Sequence, residues 1–282
     1  MKKNQSVDLL HGPIFKSLSL LAIPIMATYF IQMAYNLVDM LWIGFLGSGA
    51  VASIGVSGNF MYLANGLVNM PKIGSQALVG QSLGANNKKE TKNYIRAAFQ
   101  SSIFFALIYG IIIIVFQRNL IQLFNLSDSV IIQDAQNYLW ITCGFILFSF
   151  VNQIFTGILT SAGHSKSTFI ATTTGLILNL ILDPILIFVF NLRVVGAALA
   201  TIIAQIIVTL VFLYDAKSLD LFQGINLLSK PDKSHISKIL KIGFPSSIQS
   251  MLFTCISMYI ARLISSFGAI SVAVQKVGSQ IE

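Results

Sequence analysis

Residues 24–47 read PIMATYFIQMAYNLVDMLWIGFLG. Asp39 is the only charge in this stretch. The segment Leu18–Leu46 around it is longer than the roughly 20 apolar residues that cross a bilayer as a helix. Gln32, Asn36 and Asp39 fall at i, i+4 and i+7, with Tyr35 four positions before Asp39. On a helix they share one face. A carboxylate at the centre of a membrane helix costs on the order of 3 kcal/mol, so it is expected to face a cavity and to act.

Similar stretches fill the rest of the 282 residues. Hydrophobic residues make up 55% and charged residues 10%, and mean hydropathy is +0.78. Soluble domains carry about 25% charged residues, so an ordinary cytosolic or secreted domain is excluded. The stretches lack the alternation of barrel strands, and the expected class is all-α, polytopic in the membrane. Further spans are expected at Ser53–Leu83, Ile95–Phe116, Tyr138–Leu159, Phe169–Phe190, Val195–Tyr214 and Ile242–Phe267. An eighth begins near Ile270.

The net charge of +8 does not point to nucleic acid. Lys2, Lys3, Lys16, Lys88, Lys89, Lys92, Arg96, Lys166, Lys217, Lys230, Lys233, Lys238 and Lys241 fall on one side of the spans, and Arg118 and Arg193 on the other. This bias predicts a cytoplasmic N-terminus in a bacterial inner membrane or similar bilayer. Cys143 and Cys255 read as small buried residues within spans. Trp42 and Trp140 read as interfacial anchors, and Lys72 as a lysine that snorkels to the cytoplasmic face.

The connection Asp215–Lys241 is the only long polar one. The expected division is a six-helix bundle over 1–215, a cytoplasmic linker over 216–241 and the start of a second bundle over 242–282. A shift of 221 positions lays Pro24 on Pro245, Ile43 on Ile264, Gly47 on Gly268, Val51 on Val272 and Ala52 on Ala273. Such a parallel repeat is characteristic of transporters. A second repeat as long as the first implies roughly 450 residues, so the chain is expected to be a truncated product or fragment. A missing C-terminal bundle, or a second copy, is then needed to close the cleft.

Polar stripes recur in the later spans. Thr172, Asn179 and Asp183 share a face of span five, and Thr201, Gln205 and Thr209 one of span six. Ser149, Gln153, Thr156 and Thr160 form another in span four, with Asn152 beside it. Two carboxylates among amide and hydroxyl oxygens suit a proton or Na⁺ better than a soft transition metal. Pro24 and Pro184 remove backbone hydrogen bonds and are candidate hinges. No HExxH, phosphate loop or GxSxG motif is present, so no enzyme, no catalytic residue and no cofactor beyond the coupling ion is expected.

The chain resembles the multidrug and toxic compound extrusion (MATE) transporters. The resemblance is carried by Pro24–Gly47, Ala52–Gly55, Gly80–Ala85, Asn179–Pro184, Gly196–Thr201 and Gly243–Pro245. It implies two six-helix bundles facing across a cleft, and drug/Na⁺ or drug/H⁺ antiport by alternating access. It places the cation or proton site at Asp39, Asn179, Asp183 and Thr201, with a bend at Pro24. Gln32, Tyr35, Asn36, Asn152 and Gln153 are candidate cavity residues. The implied cargo is a small, amphipathic, cationic molecule. The alternatives are a lipid-linked saccharide flippase of the same superfamily, against which the scarcity of membrane cations argues, and an inactive half-transporter. Ile260 occupies the repeat position of Asp39, so a coupling carboxylate in span seven is not matched.

Overall fold

A computed structural model describes residues 14–126 and 128–278. Lys2, Lys3 and His11 lie outside the described residues, as do residues 279–282 and the side chain of Lys16. The described residues form nine α-helices: α1 Ile14–Gly44, α2 Ser48–Gly84, α3 Lys88–Gln122, α4 Ser129–Gly144, α5 Ile146–Ser161, α6 Ser165–Pro184, α7 Arg193–Ser218, α8 Lys233–Ser265 and α9 Ala269–Gly278. Six are long and apolar enough to cross a membrane. The all-helical membrane class is the observed one.

Three features depart from the spans expected. The span placed at Tyr138–Leu159 starts at Ser129 and is broken at Phe145, where α4 and α5 meet at 50°. No proline marks this break, so hydropathy runs through it. The span over Phe169–Phe190 leaves α-helical geometry at Pro184 and continues as one π-helical turn, Ile185–Val189. The helices flanking the linker extend to Ser218 and from Lys233, so the irregular connection is shorter than Asp215–Lys241. Cys143 is buried as expected, but Cys255 of α8 is exposed. Trp140 is half exposed, whereas Trp42 packs between Phe45 and Phe188.

The α2 helix is the spine. Small residues over Ala50–Ser57 let α4 approach closely. There Ser53 Oγ donates to the Ile131 carbonyl at 3.0 Å and Ser57 Oγ to the Ala135 carbonyl at 2.8 Å. On its other face α2 meets α8 antiparallel. A Cβ added at Gly74 would lie 1.9 Å from the Ile239 carbonyl oxygen, and one at Gly243 would lie 1.9 Å from that of Met70. Four residues further along each helix, Ser247 Oγ donates to the Gly66 carbonyl at 2.8 Å. This is the small-residue packing by which membrane helices approach backbone to backbone.

The linker folds back on the start of α3. Lys88 pairs with Asp220 at 3.1 Å, Arg96 donates to Ser229 at 3.2 Å and Gln100 Nε2 donates to the carbonyls of Leu227 and Ser229. His235 bridges Asp232 and Glu90 at 2.7 and 2.9 Å. The exposed Asp232 carboxyl lies below its ordinary range because His235 and the Ser234 amide donate to it.

The repeat read from the sequence has a conformational counterpart. Gly47 and Gly268 both adopt φ 102°, each ending a helix and opening the next. The amides of Leu46 and Gly47 donate to Ile43 and Gly44, and those of Phe267 and Gly268 to Ile264 and Ser265. These bonds superimpose under the same shift of 221.

Candidate functional site

The helices enclose a cavity of about 560 Å³. Helix α1 leans mainly on α6 and turns its apolar side outward, with Met26, Phe30, Met33 and Leu41 exposed. Its polar stripe therefore faces inward. Gln32, Tyr35, Asn36 and Asp39 line the cavity together with Asn152, Gln153, Asn179 and Thr201. Asp183 lies behind this lining and is fully buried.

A chain of contacts joins α1, α6 and α7. The Tyr35 hydroxyl donates to Asn179 Oδ1 and lies beside Thr201. Asn179 Nδ2 donates to Asp183 Oδ1 at 2.8 Å, one helical turn away. The Asp39 and Asp183 carboxyls approach within hydrogen-bonding reach of each other. Among the described residues Asp183 Oδ2 is buried with no hydrogen-bond donor. An orphaned buried oxygen of this kind is rare and costly. Thr201 Oγ1 donates to the Ala197 carbonyl at 3.0 Å, which leaves its lone pairs available. The π-helical turn begins two residues after Asp183, a distortion frequent at functional sites.

Asn152 plays a different part. Its Nδ2 donates to the side-chain and backbone oxygens of Gln205 at 2.8 and 2.9 Å, and its Oδ1 accepts from Thr209 at 2.8 Å. All its strong hydrogen-bonding groups are used, and it ties α5 to α7. Pro24 lies within an unbroken α1, where its carbonyl accepts from Thr28 at 2.8 Å.

Among the lining residues that escaped the sequence reading, three carry charge or face the carboxylates. Tyr138 of α4 faces both carboxylates. Lys72, expected to snorkel away, instead lines the cavity and donates to Gln153 Oε1 at 2.6 Å. Lys276 of α9 stands 5.0 Å above the Tyr62 ring and acts electrostatically on Asp39. Lys72 carried the same signal as Asp39, a lone charge inside an apolar helix. Tyr138 and Lys276 carried none, because aromatic and terminal-helix residues reach the site only through tertiary packing.

Helices of membrane-spanning length thus surround a polar cavity backed by two carboxylates. The MatE family profile matches residues 24–185, more than half of the chain, and the chain belongs to that family. It is 27% identical to the multidrug export protein MepA of Staphylococcus aureus over 278 residues, covering 97% of this chain and 61% of the relative. It is 28% identical to MepA of Staphylococcus saprophyticus over 283 residues, with the same coverage. Solved structures share the fold. An outward-facing multidrug resistance MATE family transporter superimposes with a TM-score of 0.84 at 22% identity, covering 99% of this chain and 66% of that one. A Pyrococcus furiosus transporter of the MOP superfamily, described as having a binding pocket of reversed polarity, gives 0.84 at 23% with the same coverage. The chain thus spans about 61% of the length of the curated relatives it matches.

Proposed function

We propose that the protein exports small amphipathic compounds in exchange for a cation, Na⁺ or H⁺, by alternating access. The observation that carries this reading is the Asp39–Asp183 pair with its orphaned Oδ2 behind a cavity of drug-sized volume. Two carboxylates held together away from water repel, and a proton or small cation between them removes the repulsion. Asn179 and Thr201 add neutral oxygens of the hard type that both ions accept. Occupancy of the site would change how α1 packs on α6, because Tyr35 and Asp39 of α1 contact Asn179 and Asp183 of α6. That is the link by which an ion gradient shifts the equilibrium between cavity-open states. The basic residues near Lys88, Lys217 and Lys233 favour placing that end of the bundle in the cytoplasm.

The test is ethidium movement in liposomes containing the protein, driven by an imposed Na⁺ or H⁺ gradient. Asp39→Asn and Asp183→Asn are each expected to slow it by about tenfold or more, the scale of one lost charged contact. Gradient-driven transport at the unaltered rate in both variants overturns the proposal. Lys72 and Lys276 in the lining favour a second reading, a flippase for anionic lipid-linked saccharides. That reading predicts no ethidium movement and gradient-dependent translocation of a polyprenyl-phosphate-linked sugar instead.

A further inference from the structure

The Lys72 ammonium is the charged group of the cavity that the coupling site does not use. It stands ten residues beyond Tyr62 on α2, roughly 15 Å along the helix. Tyr62 is the residue against which Lys276 packs, at the Asp39 end. Among the described residues no carboxylate acts on Lys72, and its one hydrogen-bond partner is the neutral Gln153 Oε1. An ammonium has three protons to donate, and an unpaired charge away from bulk water is expensive.

The surroundings are built to hold it there. Gly157 leaves room for the lysine stem, since a Cβ at that position would lie 3.2 Å from Lys72 Cγ. Gln153 lines the same cavity, and its Nε2 remains a donor while Oε1 accepts from Lys72. Lys72 thus stands in the cavity wall with no carboxylate beside it among the described residues.

We propose that Lys72 and Gln153 form an oxyanion subsite that takes the carboxylate or phosphate of an amphiphile whose apolar body fills the cavity. The proposal rests on the reading of this cavity as the cargo cavity but does not require ion coupling. An oxygen of the anion accepts from Lys72, and a second accepts from Gln153 Nε2. The acidic cluster near Asp39 and the basic subsite then lie toward opposite ends of the cavity, which suits cargo with an anionic group far from any cationic one.

The experiment is equilibrium binding of 1-pyrenebutyrate and of its neutral analogue 1-pyrenebutanol to the detergent-solubilised protein, read by pyrene fluorescence. The carboxylate should bind about tenfold or more tightly than the alcohol, the scale of one charge-assisted hydrogen bond. Lys72→Met should remove that preference, Lys72→Arg should keep it, and Gln153→Leu should reduce it. Short-chain phosphatidylglycerol that displaces pyrenebutyrate, where phosphatidylcholine does not, would support the subsite and assign it to a lipid headgroup. Failure of both lipids to displace would support it with a soluble carboxylate as the source. Equal binding of the two pyrenes to the unaltered protein, or an unchanged preference in Lys72→Met, overturns the proposal. Binding that survives in Asp39→Asn and Asp183→Asn separates this outcome from failure of the ion-coupled reading, which the liposome assay decides.

Discussion

Replacing Gly74 with alanine tests the α2–α8 contact on which the placement of the second half depends. The added Cβ would sit 1.9 Å from the Ile239 carbonyl oxygen and 2.7 Å from its carbonyl carbon. Ordinary contact begins at about 3.5 Å, so the helices must separate by roughly 1.5 Å or rotate. The obstacle is backbone and cannot swing aside. Overpacking of this kind costs about 1–3 kcal/mol. Separation also stretches the Ser247–Gly66 bond eight residues away, worth about 1 kcal/mol. At roughly 2–4 °C per kcal/mol for a domain of this size, the midpoint of thermal unfolding in detergent should fall by about 5–10 °C. Gly84→Ala on the same helix is the control, since nothing lies within 4 Å of its added Cβ. Size-exclusion of heated samples gives both midpoints. A Gly74→Ala protein as stable as Gly84→Ala would refute the close crossing.

Gly268→Ala places a side chain at φ 102° and should cost about 1–3 kcal/mol, as should Gly47→Ala at its repeat partner, while Gly44→Ala should be near neutral; unfolding midpoints of the three check this. Asn152→Ala removes the bonds that tie α5 to Gln205 and Thr209 of α7, although Thr209 keeps its bond to the Gln205 carbonyl, and should cost about 1–2 kcal/mol, measured the same way, with Asn152→Asp intermediate. Burial holds the His164 imidazole below its ordinary pKa, so the folded state resists protonation. Its contribution is complete above the unfolded value of about 6.5 and is lost as pH falls from there through the depressed folded value. A pH series of unfolding midpoints should therefore slope downward on acidification in the unaltered protein and less so in His164→Gln.

The spans were legible because hydropathy is a bulk signal that packing does not alter. The repeat was legible at Gly47 and Gly268 because both need a backbone that only glycine adopts readily. The break at Phe145 was not, since it carries neither proline nor polar residue. The stripes on α1, α6 and α7 predicted which faces look inward, because helical periodicity alone decides that. How those faces divide their work was hidden. Asn152 binds α7, whereas Asn179 joins Tyr35 to Asp183, although both are amides in polar stripes. Gly74 and Gly243 looked like ordinary helix glycines, and only the register of α2 on α8 gives them a purpose.

The central claim is that Asp39 and Asp183 together hold an exchangeable cation, and infrared difference spectroscopy of the purified protein tests it most directly. The account predicts a protonated-carboxyl band at low Na⁺ that titrates away with rising pH. The band should be lost in Asp39→Asn and in Asp183→Asn, while Asp134→Asn, an acid in the first half of α4 and not part of the cavity lining, should leave it in place. Loss of the band on adding Na⁺ at constant pH would identify Na⁺ as a competing occupant, and persistence would identify the proton as the exchanged ion. A spectrum with no titrating carboxyl band, or one that is unchanged in both variants, would contradict the account.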